Sequence, residues 1–183
     1  MKLMQVNANY YQQFDADARL PAPGEGYGGW KQAEVELDLD HTAVVVMHAW
    51  DAGTCEEFPG WHRAVEYIPR AQEIARTVFP KLLGAVRAHG VKLFHVVGCG
   101  DYYKQCPGYA QAVKLATPAP AAEWIGPDPA LQKLRQFRAE QVFVGKHNEA
   151  DVQRGFARLN FDPHAFPAGA EPVAENAAQL FGV

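Results

Sequence analysis

Residues 43–47 read Ala43-Val44-Val45-Val46-Met47, a continuous apolar run of the kind that fills a strand covered on both faces in a parallel sheet. A strand with one wet face would alternate apolar and polar residues instead. Downstream, Ile68 to His89 carries Ile74, Val78, Leu82 and Val86 at a spacing of four, the apolar face of a helix. Pro80 inside it removes a backbone donor and predicts a kink or a restart, and Gly90 closes the helix. Val91 to Val97 (VKLFHVV) is a second buried run. Leu131, Leu134 and Phe137 mark a further helix opened by Pro127 to Pro129. Gln141 to Gly145 (QVFVG) reads as a third strand, its core Gln141 to Val144. Glu171 to Phe181 reads as a last helix, with Val173, Ala177 and Leu180 on one side.

Buried strands alternating with helices predict strand–helix–strand units, right-handed crossovers and a mainly parallel sheet between helical layers, a three-layer α/β/α fold. Upstream, Leu20 to Trp30 (LPAPGEGYGGW) is too rich in Gly and Pro for a regular element, with Tyr27 and Trp30 as anchors. Glu34 to Asp40 (EVELDLD) alternates and predicts a half-buried edge strand. The expected organisation is one domain over 1–183, with an N-terminal arm and edge strand in 1–40 and an α/β body in 41–183. Ala116 to Ala122 is an Ala- and Pro-rich connection.

The chain has 183 residues, 48% of them hydrophobic and 21% charged, a globular composition. Seventeen Lys and Arg against 21 Asp and Glu leave a formal charge of −4, which argues against a nucleic-acid partner. Three cysteines do not build a secreted disulfide framework. The polar stretch Met1 to Tyr11 lacks the apolar run of a signal peptide, and no stretch approaches the roughly 18 apolar residues of a membrane span. The expectation is a soluble, cytoplasmic protein with no membrane partner.

Ligands of open parallel sheets bind at the carboxyl ends of the strands. Those ends read His48-Ala49-Trp50-Asp51, Gly98-Cys99-Gly100-Asp101-Tyr102-Tyr103 and Lys146-His147-Asn148-Glu149. Topology predicts that His48, Asp51, Asp101 and Lys146 gather at one end of the sheet. His48 suits a general base because imidazole titrates near neutrality, and it equally suits a hydrogen-bonded His at a strand end. Asp51 offers a carboxylate or a turn cap. Trp50, Asp101, Tyr102 and His147 are candidate substrate contacts, the aromatics suiting a flat molecule or plain packing. His48, Asp51, Cys55, His147 and Asp151 include metal-ligand types without a ligand spacing, so neither metal nor cofactor is expected. Gly24 to Gly29 (GEGYGG) does not open a helix and supports no dinucleotide site.

The run Thr42 to Val46 (TAVVV), Ile68-Pro69, the long helix, Gly90-Val91 and the strand after it resemble the opening of isochorismatase-like cysteine hydrolases, over roughly Thr42 to Val183. The resemblance implies a Rossmann-like parallel sheet with the second strand between the first and third. It also implies cleavage of a small-molecule amide or related C–N or ether bond, as in nicotinamidases and carbamoyl hydrolases. That family uses an Asp after the first strand, a Lys after the third and a nucleophilic Cys at a helix start after the fourth. Lys146 matches the Lys, where a cation favours a thiolate and developing negative charge. The Asp position falls on His48, a departure, with Asp51 three residues on. Some relatives bind zinc, but no Asp-x-His element follows the second strand here. The Cys position has no counterpart, which implies a fold incomplete at its C-terminus, the nucleophile following Val183. Cys99 is a weak substitute. The side of the first strand opposite the second would then be an open edge, so a longer protein or a homo-oligomer is expected. A non-catalytic small-molecule-binding or scaffold protein of the same fold is the alternative to a hydrolase.

Overall fold

The structure, a computed structural model, describes residues 2–13, 17–117 and 126–183. Pro118 to Ala122 of the Ala- and Pro-rich connection lie outside the described residues. The chain divides into two compact units, Met1–Ala43 and Val44–Val183.

The first unit corrects the expected edge strand. Strand β1 (Leu3–Gln12) pairs antiparallel with β2 (Gly29–Asp38), from Leu3 opposite Asp38 to Gln12 opposite Gly29, as a two-stranded sheet of its own. The alternation in residues 34–40 is real, but its hydrogen bonds go to residues 3–12 and not to the parallel sheet. β1 escapes sequence reading because Asn and Gln dilute its apolar positions. Cross-strand contacts hold the ribbon: Gln32 Nε2 donates to Asn9 Oδ1 at 2.8 Å, and Tyr11 meets Trp30 edge-on at 5.4 Å.

The second unit is mixed α/β. Its sheet has the order β3–β5–β7, from β3 (Ala43–Met47), β5 (Lys92–Val96) and β7 (Val173–Ala174), and it is parallel. The run 91–97 is the middle strand, as expected. The third member is not. Gln141 to Val144 is not a strand: Gln141 and Val142 end a π-helical turn, Arg138–Val142, and Phe143 and Val144 bend away after it, with Phe143 N donating to Arg138 O at 2.8 Å and Gly145 N to Ala139 O at 2.8 Å. Helix α5 (Pro129–Phe137) runs straight into this turn, and its wide backbone bonds satisfy the donors that a strand would have offered to a sheet. The strand place is taken by Val173–Ala174, read from sequence as helix. His95 N donates to Pro172 O and Val97 N to Ala174 O, which locks residues 172–174 against β5 before α7 (Ala177–Gly182) begins at the Asn176 cap.

The long helix divides as Pro80 requires, into α2 (Ile68–Thr77) and α3 (Phe79–Ala88), with Gly90 at φ 64 closing it. α3 buries Leu83 and Val86 against Val46 and Leu93. Leu83 is wholly buried, so truncating it to Ala would cost about 2–5 kcal/mol. Helices α4 (Pro107–Leu115) and α7 pack on β7. β3 itself is covered on one face only, a second correction. Val46 is buried, while Val45 is 45% and Met47 64% exposed. The short β4 (Trp50–Asp51) and β6 (Asn160–Phe161) pair antiparallel. Helices α1 (Pro59–Ala64) and α6 (Glu149–Ala157) cross where Trp61 stacks on Phe156, ring centroids 5.3 Å apart. No described helix is long and apolar enough to cross a membrane.

Candidate functional site

The chain leaves β3 at Met47, and His48 takes the left-handed conformation, φ 49. Non-glycine residues adopt it at a cost and concentrate where structure over-determines them. Three contacts hold His48. Its N–H donates to Val96 O at 3.0 Å, its ring meets Trp50 at 4.9 Å, and a Cβ added to Gly98 would lie 3.3 Å from its Cε1. The neighbouring strand ends in the same way, with Cys99 at φ 61. The ends of β3 and β5 thus form one left-handed pair of turns with the imidazole against Gly98.

Behind His48 opens a cavity of about 570 Å³, inside the usual range for small-molecule sites. Its wall takes Met47 to Trp50 after β3, Trp61 of α1, and Ile68, Ala71, Gln72 and Ala75 of α2. Phe143 and Val144 of the turn after α5, Val152 and Phe156 of α6, and Asp162 complete much of it. Trp50 meets Phe156 at 5.9 Å, and its Nε1–H donates to Tyr102 Oη at 2.8 Å. That bond fixes the indole plane. Gln72 is spent on the wall itself, since its Nε2 donates to Gly53 O at 2.7 Å.

The structure brings together three of the seven residues singled out from sequence. His48 and Trp50 line the cavity, and Tyr102 holds Trp50 from behind. The other four are not in its wall. Asp51 Oδ1 accepts from Gly53 N at 2.9 Å, the turn-cap role. Asp101 pairs with Lys104 at 2.6 Å on the exposed loop after β5. Lys146 and His147 are exposed and follow the π-helical turn in place of a strand. Phe143 and Val144 of that same turn do reach the wall. Among the described residues, no group of three His, Cys, Asp or Glu is placed to hold a metal ion. Cys55 and Cys99 are exposed and Cys106 is buried, where burial pushes its thiol up. None of the three lines the cavity.

Sequence reading missed Asp162. It is 8% exposed and fastened to the β3 exit, with its N–H donating to Ala49 O at 2.9 Å. Its Oδ1 accepts from His164 N at 2.8 Å and faces His164 Nδ1 at 3.0 Å. The available signal was Asp162-Pro163, a dipeptide that initiates turns. Two other acidic centres brace the sheet. Glu171 meets Arg87 through both carboxylate oxygens, at 2.7 and 2.9 Å, and His95 at 2.9 Å. Burial pushes the Glu171 carboxyl up, but Arg87, the Ala168 amide and His95 together hold it down at about 2. Glu175, at the exit of β7, accepts from Tyr103 at 2.5 Å and Tyr109 at 2.7 Å, which lowers its carboxyl; burial and then this bond raise the Tyr103 phenol, and the bond and then burial raise that of Tyr109.

Comparison with family models, curated proteins and solved structures finds no match to this chain. The structure is that of a mixed α/β protein with an aromatic-walled pocket at the exit of its first parallel strand.

Proposed function

We propose that this chain binds a flat small molecule in the cavity behind His48 and Trp50, and that the cavity is its working site. The observation that carries the reading is a volume of about 570 Å³ walled by Trp50, Trp61, Phe143 and Phe156 with His48 at the strand exit. Aromatic walls with few polar groups are the usual make-up of small-molecule sites, and strand exits of parallel sheets are their usual place. None of the three cysteines lines the wall, which favours binding over thiol chemistry.

The isochorismatase-like hydrolase is the second reading, and one contact favours it: Gly98 lies against the His48 ring and Cys99 follows it. In that reading Cys99 Sγ adds to the carbonyl of a small amide while its proton passes to His48; the adduct collapses by breaking the C–N bond as His48 returns the proton to the departing amine, and water then hydrolyses the thioester to the acid and the free thiol. Calorimetric titration with flat aromatic amides, acids and bases tests the first reading, with Cys99→Ser as its control. Binding that survives in the variant, with no amine or ammonia released by either protein, supports a binding site. Amide cleavage lost in Cys99→Ser supports the hydrolase.

A further inference from the structure

Among the described residues, Asp162 is the one carboxylate in the cavity wall and His48 the one imidazole. The remaining wall is apolar or aromatic apart from Gln72, whose amide N–H is already used. The Asp162 side chain is 11% exposed. Both of its neighbours from His164, the backbone N–H and ring Nδ1, address Oδ1. Oδ2 makes no hydrogen bond among the described residues. Among the described residues no Lys or Arg is in the wall, and the His164 ring is the one basic side chain against the carboxylate.

A carboxylate in an apolar wall acts through a low local dielectric, where an opposite charge is felt far more strongly than in water. Oδ2 is not one of the enclosed polar atoms, so a cation brought in by a ligand can reach it and form a charge-assisted hydrogen bond. The rings around it favour the same sign of guest, because aromatic faces attract cations, Trp most strongly. Trp50, Trp61 and Phe156 supply those faces, and their mutual contacts at 5.3 and 5.9 Å keep them in place. Charge and quadrupole therefore agree. We infer that the cavity takes a flat cation, an aromatic amidine or amine, with Asp162 as its counter-charge. The inference rests on the small-molecule reading above and goes beyond it by fixing the charge of the ligand.

Three planar probes of one shape separate the outcomes: 2-naphthamidine as cation, 2-naphthamide as neutral isostere and 2-naphthoate as anion. Calorimetry on the full chain at pH 8.5 keeps imidazoles uncharged. The amidine is expected to bind at least tenfold more tightly than the amide, and the naphthoate least. Asp162→Asn keeps an oxygen for the His164 N–H, and it should erase the amidine preference while leaving amide binding in place. Equal binding of the three, or tightest binding of the amide or naphthoate, overturns the inference and leaves the cavity as a binding site. An amidine preference that persists in a folded Asp162→Asn also overturns it. If no probe binds at millimolar concentration, the small-molecule reading falls together with the inference. The wild-type comparison decides the sign of the ligand even where the variant fails to fold.

Discussion

His95 Nε2 lies 2.9 Å from Glu171 Oε2, and this contact ties the middle strand of the sheet to the turn that leads into β7. His95 is 1% exposed, and its Nδ1 is buried without a partner among the described residues. Burial pushes the imidazole down against the pull of Glu171. A neutral ring donating from Nε2 is the state that suits this environment.

Acid should therefore unfold the protein in two stages. Both groups titrate lower in the folded chain than in the unfolded one, so the stability they contribute is complete at high pH and is lost as pH falls. His95 acts first, below its ordinary value of 6.5, and Glu171 follows between 4.5 and about 2. The Glu171 share is about 2 kcal/mol after allowance for solvent around Arg87. Urea midpoints at pH 7, 5 and 3.5 check the order. Glu171→Gln should lower the midpoint at pH 7 and flatten the profile below pH 4.5.

Gly155 is where α6 passes under Trp61. An added Cβ would lie 2.1 Å from Trp61 Cε3 and 2.3 Å from Cζ3, so Gly155→Ala should cost about 1–3 kcal/mol by overpacking. Gly84 in α3 has nothing within 4 Å of an added Cβ, and Gly84→Ala should stabilise by about 0.5–1 kcal/mol. Thermal unfolding of the pair gives opposite signs if the helix crossing is as described.

Tyr103 is 3% exposed and donates to Glu175. Tyr103→Phe leaves that carboxylate with Tyr109 and Gln179 alone. A hydrogen bond to a charged acceptor is worth about 1.5–3 kcal/mol, and the variant should lose stability in that range by denaturant titration. Tyr109→Phe, on the exposed side of the same carboxylate, should cost less.

Ala71 lines the cavity from an exposed position on α2. Ala71→Trp should fill the opening, weaken small-molecule binding at least tenfold and leave the melting temperature almost unchanged, since exposed substitutions usually stay within about 0.5 kcal/mol. Binding that survives in this variant would place the ligand elsewhere.

β3 carries Val45 and Met47 outward along an edge of the three-stranded sheet. An apolar edge strand invites pairing with another chain. Light scattering of the 20.2 kDa chain is expected to give a mass above the monomer, and Val45→Lys with Met47→Lys should lower it. A monodisperse monomer would count against self-association at β3.

The sequence by itself determined the local elements whose signals lie within a few residues. The apolar runs 43–47 and 91–97 form strands, the spacing of four from Ile74 to Val86 forms helix, and Pro80 divides it. Each follows from side-chain period or from a missing backbone donor. His48 and Trp50 were legible for the same kind of reason, because a parallel strand must deliver its carboxyl end to a ligand edge. What only the tertiary structure decided was which polar and apolar groups found partners far along the chain. Residues 141–144 have strand composition, yet the Phe143 N–H is taken by the carbonyl at 138 and the following Gly145 N–H by the carbonyl at 139. Val173 has helix spacing, yet β5 claims its neighbours' hydrogen bonds. Asp51 ends β4 and Asp162 follows its partner β6; one caps an exposed turn and the other is buried in the cavity wall. Asp162 is fastened there through its N–H to Ala49 O, a partner far away along the chain. No local pattern encodes it.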